Sequence, residues 1–168
     1  MALKMMLAGA AAMMLRQVSV TAPAEQAPLV SGAPDDLPMT LAPIEPSWIL
    51  AGEPVARMAL HSRSRDEAAS TFLWDCTAGE FRWFFDWDET VVILEGEVHV
   101  TAQDGTERTL RRGEIAYFAG KTWATWRIDS YVRKIAFCRK RFPVPVALAY
   151  QLRNMLRGDR NGQGGLAA

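Results

Sequence analysis

Residues 79–113 have the sequence GEFRWFFDWDETVVILEGEVHVTAQDGTERTLRRG, and this stretch decides the fold. Five aromatic residues fall within 80–87, a β-branched run follows at 89–94, and another strand-like pattern follows at 98–103. Asp104-Gly105 is a strong signal for a two-residue hairpin, because both central positions of a type I′ turn require positive φ. The stretch therefore predicts consecutive antiparallel strands joined by tight turns.

Short strand patterns also flank this stretch on both sides. They are predicted at 48–50, 55–60, 69–76, 109–110, 115–118, 122–128 and 131–138. Such regular spacing, without an internal repeat, indicates an all-β antiparallel barrel or jelly roll. The length of 168 residues, 49% of them hydrophobic, suits one core of this kind.

The two ends of the chain differ from this barrel, which is predicted over 47–142. Residues 21–46 contain six of the nine prolines, which predicts an extended linker or arm rather than a helix or a central strand. Residues 143–158 predict an amphipathic helix whose apolar face packs on the outside of the barrel. Residues 159–168 predict a frayed tail. Residues 1–20 form a separate apolar segment.

Charge and targeting signals limit the partners of the chain. Nineteen basic and nineteen acidic residues cancel, so no net field attracts nucleic acid. The apolar run within residues 1–20 is shorter than the roughly twenty residues that span a membrane, and a membrane partner is not expected. A cytoplasmic location is predicted, with export as the alternative if residues 1–24 are a signal peptide. Cys76 and Cys138 show no metal-ligand spacing and are interpreted as buried small side chains.

A set of short motifs is spread between Trp48 and Arg139. They are Trp74, Phe81, Trp83, Asp86, Glu89-Thr90, Ile93 to Gly96, Asp104-Gly105, Gly113-Glu114, Trp126 and Val132-Arg133-Lys134. In these motifs the chain resembles the cupin family. It is most similar to the small group related to the ureidoglycine aminohydrolase cupin domain and the ethanolamine-utilisation cupin. The resemblance implies a single RmlC-like jelly-roll barrel that pairs as a homodimer.

The metal ligands of the cupin family are mostly replaced in this sequence. Metal-binding cupins use two histidines in an HxH pair, a glutamate and a third histidine, and Glu89 alone is kept. The histidine positions are taken, in either of two alignments, by Arg82 and Phe84 or by Trp83 and Phe85, together with Ala124. A divalent transition metal needs three or four converging ligands, so the sequence predicts no metal and no other cofactor.

Strand alternation places one of two residue sets on the inner face with Glu89: Arg82 and Phe84, or Trp83 and Phe85. Either set forms an aromatic pocket with one carboxylate, which favours a flat or cationic small molecule. The predicted ligand-binding residues are Trp74, Trp83, Phe84, Phe85, Tyr117, Lys121 and Trp126. In the alternative interpretation, the aromatic residues fill the core and Glu89 pairs with Arg82 or Arg133.

Three functional classes remain open at this stage. The predicted function is a metal-free cupin that binds a small molecule around Glu89. The second class is a hydrolase or lyase of ureide or amine metabolism, in which Glu89 is the general acid or base and Arg82 or Lys121 stabilises developing negative charge. The third class is a structural homodimer module. The sequence leaves open whether the protein is an enzyme.

Overall fold

A computed structural model describes residues 27–141 together with Leu148, Leu152, Arg153 and Met155. The predicted all-β fold is confirmed, because strands are the main secondary structure of this region. They are β1 (Thr40–Leu41), β2 (Ile49–Ala51), β3 (Ala56–Arg63), β4 (Ala69–Phe85), β5 (Asp88–Ala102), β6 (Glu107–Arg111), β7 (Ile115–Phe118) and β8 (Thr122–Arg139). Short 3₁₀ turns occupy Pro34–Asp36 and Pro46–Trp48.

The strands form one antiparallel sheet in the order β1-β3-β4-β8-β5-β6, with β2 on β4 and β7 on β5. This arrangement is the predicted jelly-roll barrel. The strands β4, β5 and β8 are long, with 17, 15 and 18 residues, and form most of its wall. They bend at register shifts, such as the one between Thr77 and Gly79 in β4. Two strands that the sequence separates, at 69–76 and 80–87, are therefore one strand that continues through a bulge.

Gly96 shows why one position in β5 must lack a side chain. It has a φ of +69°, and a Cβ atom there would overlap the carbonyl oxygen of Tyr131 in the neighbouring β8. Glycine tolerates both the left-handed backbone and this close approach. The bend of β5 against β8 therefore depends on Gly96.

The core lies inside the barrel and is rich in aromatic residues. Its most buried side chains include Trp126, Phe81, Phe85, Ile93, Ile128, Val91, Val98 and Val132. Each large apolar side chain that is removed from water stabilises the fold by about 1.5–3 kcal/mol. Part of the predicted arm joins this core, since Ile44 is buried and β1 pairs with β3. The barrel therefore includes residues that the sequence assigns to 21–46.

The predicted C-terminal helix is described at four positions, and all four are helical. The side chains of Leu148, Leu152 and Met155 are 53%, 50% and 77% exposed, so the barrel does not cover the apolar face at these positions. The rest of 143–158, together with 1–20 and 159–168, lies outside the described residues. Among the residues that are described, no helix has both the length and the apolar character needed to cross a membrane.

Candidate functional site

A cavity of about 190 Å³ lies inside the barrel between β3, β4, β5 and β8. Its walls are mostly apolar and aromatic, with side chains from Met58, Phe72, Trp74, Phe81, Trp83 and Trp126. Two charged residues also line it, Glu89 from β5 and Lys134 from β8. A small apolar pocket with a few polar groups is the usual form of a small-molecule site.

Strand alternation and register explain why these residues meet. After the bulge at Gly79, the side chains of Phe81, Trp83 and Phe85 point inward, because successive residues of a strand face opposite sides. In β8 the inward positions include Trp126 and Lys134. Phe81 pairs with Trp126, and Trp74 pairs with Lys134. The Lys134 side chain thus enters the aromatic wall from the neighbouring strand.

Glu89 and Lys134 form an ion pair at the cavity wall. Lys134 Nζ donates to Glu89 Oε1 at 2.7 Å, and the two side chains are 6% and 12% exposed. The ammonium also lies 5.0 Å from the ring centre of Trp74 and 4.4 Å from that of Trp126. A desolvated cation is stabilised both by a carboxylate and by the negative face of an aromatic ring. Lys134 therefore has three electron-rich neighbours that hold it in place.

Two further polar groups belong to residues that line the cavity. The indole Nε1 of Trp126 is buried and has no hydrogen-bond partner among the described residues. The thiol of Cys138 has its pKa raised to about 12, first by burial and then by the charge of Glu89. Because the thiolate is the nucleophile, Cys138 is expected to react only slowly at neutral pH. Glu89 and Lys134 are therefore the charged groups through which the cavity could bind a molecule.

Four of the residues that the sequence assigns to the site line this cavity: Trp74, Trp83, Glu89 and Trp126. Phe85 also points inward, but it is 1% exposed and stacks in parallel on Phe118, with ring centres 4.4 Å apart. Phe85 is therefore part of the packed core. Of the two inner sets that the sequence left open, the structure has the one with Trp83 and Phe85.

The remaining predicted site residues lie away from the cavity, which corrects their assignment. Arg82 neighbours Trp83 and so faces the other side of β4, where its guanidinium lies 4.6 Å from the ring centre of Trp123. Phe84 contacts the same Trp123 ring. Lys121 forms an ion pair with the exposed Asp86. Tyr117 is 63% exposed. Neither Arg82 nor Lys121 can therefore stabilise charge beside Glu89.

Lys134 is the main site residue that the sequence reasoning missed. Its strand has a signal, because Val132, Lys134 and Ala136 occupy alternate positions and all three are buried. A lysine in such a series of inward positions indicates a buried cation that needs an anion. Arg133, a predicted partner of Glu89, instead donates from an Nη atom to Asp35 at 2.5 Å.

A second cluster of polar groups lies on β5 and β8, beside the end of β6. The ligand atoms of Glu97, His99 and Asp129 lie within 4.8 Å of one another. Each carboxylate already contacts an arginine, since Arg127 donates to Asp129 at 2.6 Å and Arg111 lies 3.2 Å from Glu97. His99 contacts Asp129 at 3.1 Å. We interpret the cluster as an ion-pair network, because the two guanidinium groups oppose a bound cation.

Comparison with known proteins identifies the superfamily. Residues 63–136, which span most of β4 to β8, match the family model of the EutQ-like cupin domain. The chain is a member of the cupin superfamily. No curated protein matches it in sequence.

Solved cupin structures share the fold at low sequence identity. A DUF861-family protein of unknown function from Pseudomonas syringae pv. tomato is 22% identical over 60% of this chain and 43% of its own, with a TM-score of 0.55. A structure of Fe(II)-HppE with an alternative substrate is 13% identical over 66% and 60%, with a TM-score of 0.52. A putative ethanolamine-utilisation protein EutQ from Salmonella typhimurium is 16% identical over 51% and 69%, with a TM-score of 0.46. These likenesses concern the fold.

The interior of this cupin does not fit the metal that histidine-bearing cupins hold. The retained ligand position is Glu89, and the ammonium of Lys134 already occupies its Oε1. The inward residues at the lost histidine positions are Trp83, Phe85 and Ala124, and none of them offers a metal-ligating atom. A metal beside Glu89 would also meet the positive charge of Lys134.

Proposed function

We propose that this cupin binds a small, flat molecule in the barrel cavity without a transition metal. The observation that carries the proposal is the Glu89–Lys134 ion pair at the wall of a cavity of about 190 Å³ with otherwise mainly apolar walls. An engineered apolar cavity of about 150 Å³ accepts benzene. The size therefore suits a molecule with one ring.

The fixed geometry of the polar groups supports binding over simple core filling. Lys134 lies between Glu89 and the faces of two tryptophans, so its position is set before a ligand arrives. A pre-organised site avoids the entropy cost of ordering side chains on binding. The wall residues Trp74 and Trp83 also contact each other edge to face, with ring centres 6.3 Å apart. Such contacts hold the cavity open with a defined shape.

The test is a thermal-shift screen of small one-ring compounds on two matched variants. Ala136→Met places a larger side chain at the cavity wall, and Arg82→Ala changes a residue on the other face of β4. We expect saturable shifts with the wild type that persist in Arg82→Ala and disappear in Ala136→Met. Circular dichroism confirms that both variants fold. Shifts that survive in Ala136→Met, or a broad panel with no saturable binder, would contradict the proposal.

A second candidate is catalysis by Glu89, which one observation favours. The carboxylate is mostly buried and is held by a single ammonium through Oε1, so it is neither fully solvated nor fixed by a bidentate arginine. In this candidate Lys134, rather than Arg82, stabilises negative charge on the substrate. Incubation of each cavity binder with the protein, followed by NMR, tests it. Turnover that is lost in Glu89→Gln while binding persists would favour the enzyme.

A further inference from the structure

The charge of the cavity restricts what it can bind. Among the described residues that line it, Glu89 and Lys134 carry charge, and they neutralise each other at 2.7 Å. We infer that the cavity selects a neutral, planar one-ring molecule that carries a carbonyl beside an N–H, such as an aromatic carboxamide, over charged molecules of the same shape. This inference rests on the proposed function and names the ligand class.

A cationic ligand is disfavoured because Lys134 already occupies the place that it would take. Aromatic pockets bind cations through ring faces and a nearby carboxylate. Here the ammonium of Lys134 lies over the rings of Trp74 and Trp126 and contacts Glu89. A second cation would meet the like charge of Lys134. From the sequence, the aromatic residues and Glu89 favour a cationic ligand. In the structure they bind the ammonium of the protein's own Lys134 instead.

An anionic ligand is disfavoured by Glu89. Its carboxylate oxygen lies next to the ammonium that an anion would approach, so a bound anion would share Lys134 with a like charge. In a cavity with little water, such repulsion is only weakly screened. A neutral molecule avoids both penalties, because it leaves the ion pair intact.

The polar groups that remain available match a carbonyl and an N–H. An ammonium has three N–H donors, so Lys134 can donate to a ligand carbonyl beside its bond to Glu89. A carboxylate has about four lone-pair sites, so Glu89 can accept from a ligand N–H beside its bond to Lys134. One donor and one acceptor on the same cavity fit a group that carries both.

The test uses benzamide, benzoate and benzamidine, which have nearly the same shape and differ in charge, together with acetophenone, which has the carbonyl without the N–H. In calorimetry on the wild type, benzamide is expected to bind at least about tenfold more tightly than benzoate or benzamidine. The affinity of acetophenone is expected to lie between that of benzamide and those of the two ions. Tighter binding of benzoate or benzamidine would overturn the inference and leave the proposed function standing. Absence of saturable binding by all four compounds would overturn the inference, and the proposed function would fail with it only where the broad panel also gives no saturable binder.

Variants at Lys134 give a sharper test, because they change the preferred charge. Lys134→Met empties the cation position between Glu89 and the two tryptophans, so the affinity ratio of benzamidine to benzamide is expected to rise by about tenfold or more. The double variant Glu89→Gln/Lys134→Met has no charged pair, so it is expected to keep the preference for a neutral ligand. It replaces the single variant in this test if Lys134→Met does not fold. An unchanged ratio in Lys134→Met, or a preference for an ion in the double variant, would overturn the inference.

Discussion

Asp75 in β4 is buried and Glu89 in β5 is mostly buried, but the two carboxylates have very different surroundings. Asp75 accepts hydrogen bonds from Arg57 Nε at 3.0 Å and from an Nη of Arg57 at 2.6 Å, and from the Tyr131 hydroxyl at 3.0 Å. Glu89 accepts from one ammonium and interacts with the thiol of Cys138 at the wall of a cavity. Burial is similar, since the side chains are 4% and 12% exposed. Burial alone therefore does not distinguish a structural carboxylate from a candidate functional one.

The two carboxylates differ in the number of their hydrogen bonds and in the free space beside them. The three bonds of Asp75 join β3, β4 and β8, because Arg57 and Tyr131 lie on the two neighbouring strands. A bidentate arginine fixes a carboxylate in one orientation. Burial, followed by the hydrogen bond to Asp75, raises the pKa of Tyr131, so the tyrosine remains a donor at neutral pH. Asp75 is thus committed to the fold, whereas Glu89 keeps capacity for a ligand.

The largest expected effect comes from the pair in the cavity. Lys134→Met leaves the carboxylate of Glu89 buried without a cation, and we expect the free energy of unfolding to fall by about 3–5 kcal/mol. Urea denaturation measures this change. The double variant Glu89→Gln/Lys134→Met should regain most of it, because an apolar replacement of a buried ion pair is often neutral. A loss below about 1 kcal/mol in the single variant would show that Glu89 and Lys134 are solvated.

The next effect separates stability from binding. Asp75→Asn loses the charged acceptor of Arg57, and we expect unfolding to become easier by about 1–3 kcal/mol. Ligand affinity in the cavity is expected to stay the same, because Asp75 faces the other side of β4 from Trp74. The same calorimetry with benzamide measures affinity. If Asp75→Asn changed the affinity for benzamide but kept wild-type stability, Asp75 would belong to the binding site and the contrast with Glu89 would be wrong.

A cysteine lies close to each carboxylate, Cys76 to Asp75 and Cys138 to Glu89. The reaction rate of each thiol measures how well a small reagent reaches that region. Burial raises the pKa of Cys76 and of Cys138 to about 12, and Cys138 lines the cavity while Cys76 is fully buried. We expect methyl methanethiosulfonate to modify Cys138 before Cys76, at a rate that rises about tenfold per pH unit from pH 7 to 9, because the thiolate fraction does so far below the pKa. Mass spectrometry of peptides measures both rates. A rate that levels off near pH 8.5, or a faster reaction of Cys76 than of Cys138, would contradict the placement of a buried Cys138 thiol at the cavity wall.

The smallest expected effect is on metal content. Because the ammonium of Lys134 is bound to the carboxylate of Glu89, elemental analysis of purified protein is expected to give metal far below one atom per chain. His99→Ala is the matched variant, since it removes the histidine of the cluster with Glu97 and Asp129. Stoichiometric metal that persists in His99→Ala would place it in the interior, and the contrast between the two carboxylates would then fail. The predicted homodimer and cytoplasmic location stay predictions.

Much of the fold was predictable because its signals are local. Alternation and turn residues predicted most of the strands and a hairpin between β5 and β6. The predicted turn type was wrong, because Gly105 has positive φ but Asp104 does not, and Gly105 N–H donates to the carbonyl of Ala102. The strand β1 was not predicted, because prolines surround it, yet Thr40 and Leu41 pair with β3. Proline is tolerated at sheet edges, so a proline-rich segment can still hold a short edge strand.

The candidate site was predictable only in part. The motif placed Glu89 inside an aromatic barrel, and Trp74, Trp83 and Trp126 do line the cavity. The cation that meets Glu89 was not predictable, since Lys134 is 45 residues further along the chain. Their contact depends on the pairing of β5 with β8, which includes two register shifts. No local pattern encodes such a pairing.

The sequence by itself determined that this protein is an all-β barrel, that its interior is aromatic, and that three histidine positions of the cupin pattern are lost. The first two properties follow from residue identity and from spacing along single strands, and the third follows from the resemblance to cupins. The tertiary structure alone decided that Trp83 rather than Arg82 faces inward, and that Lys134 rather than Arg133 meets Glu89. The reason is physical: alternation fixes which residues share a face, but bulges and the register between distant strands decide which face is inside and what lies opposite.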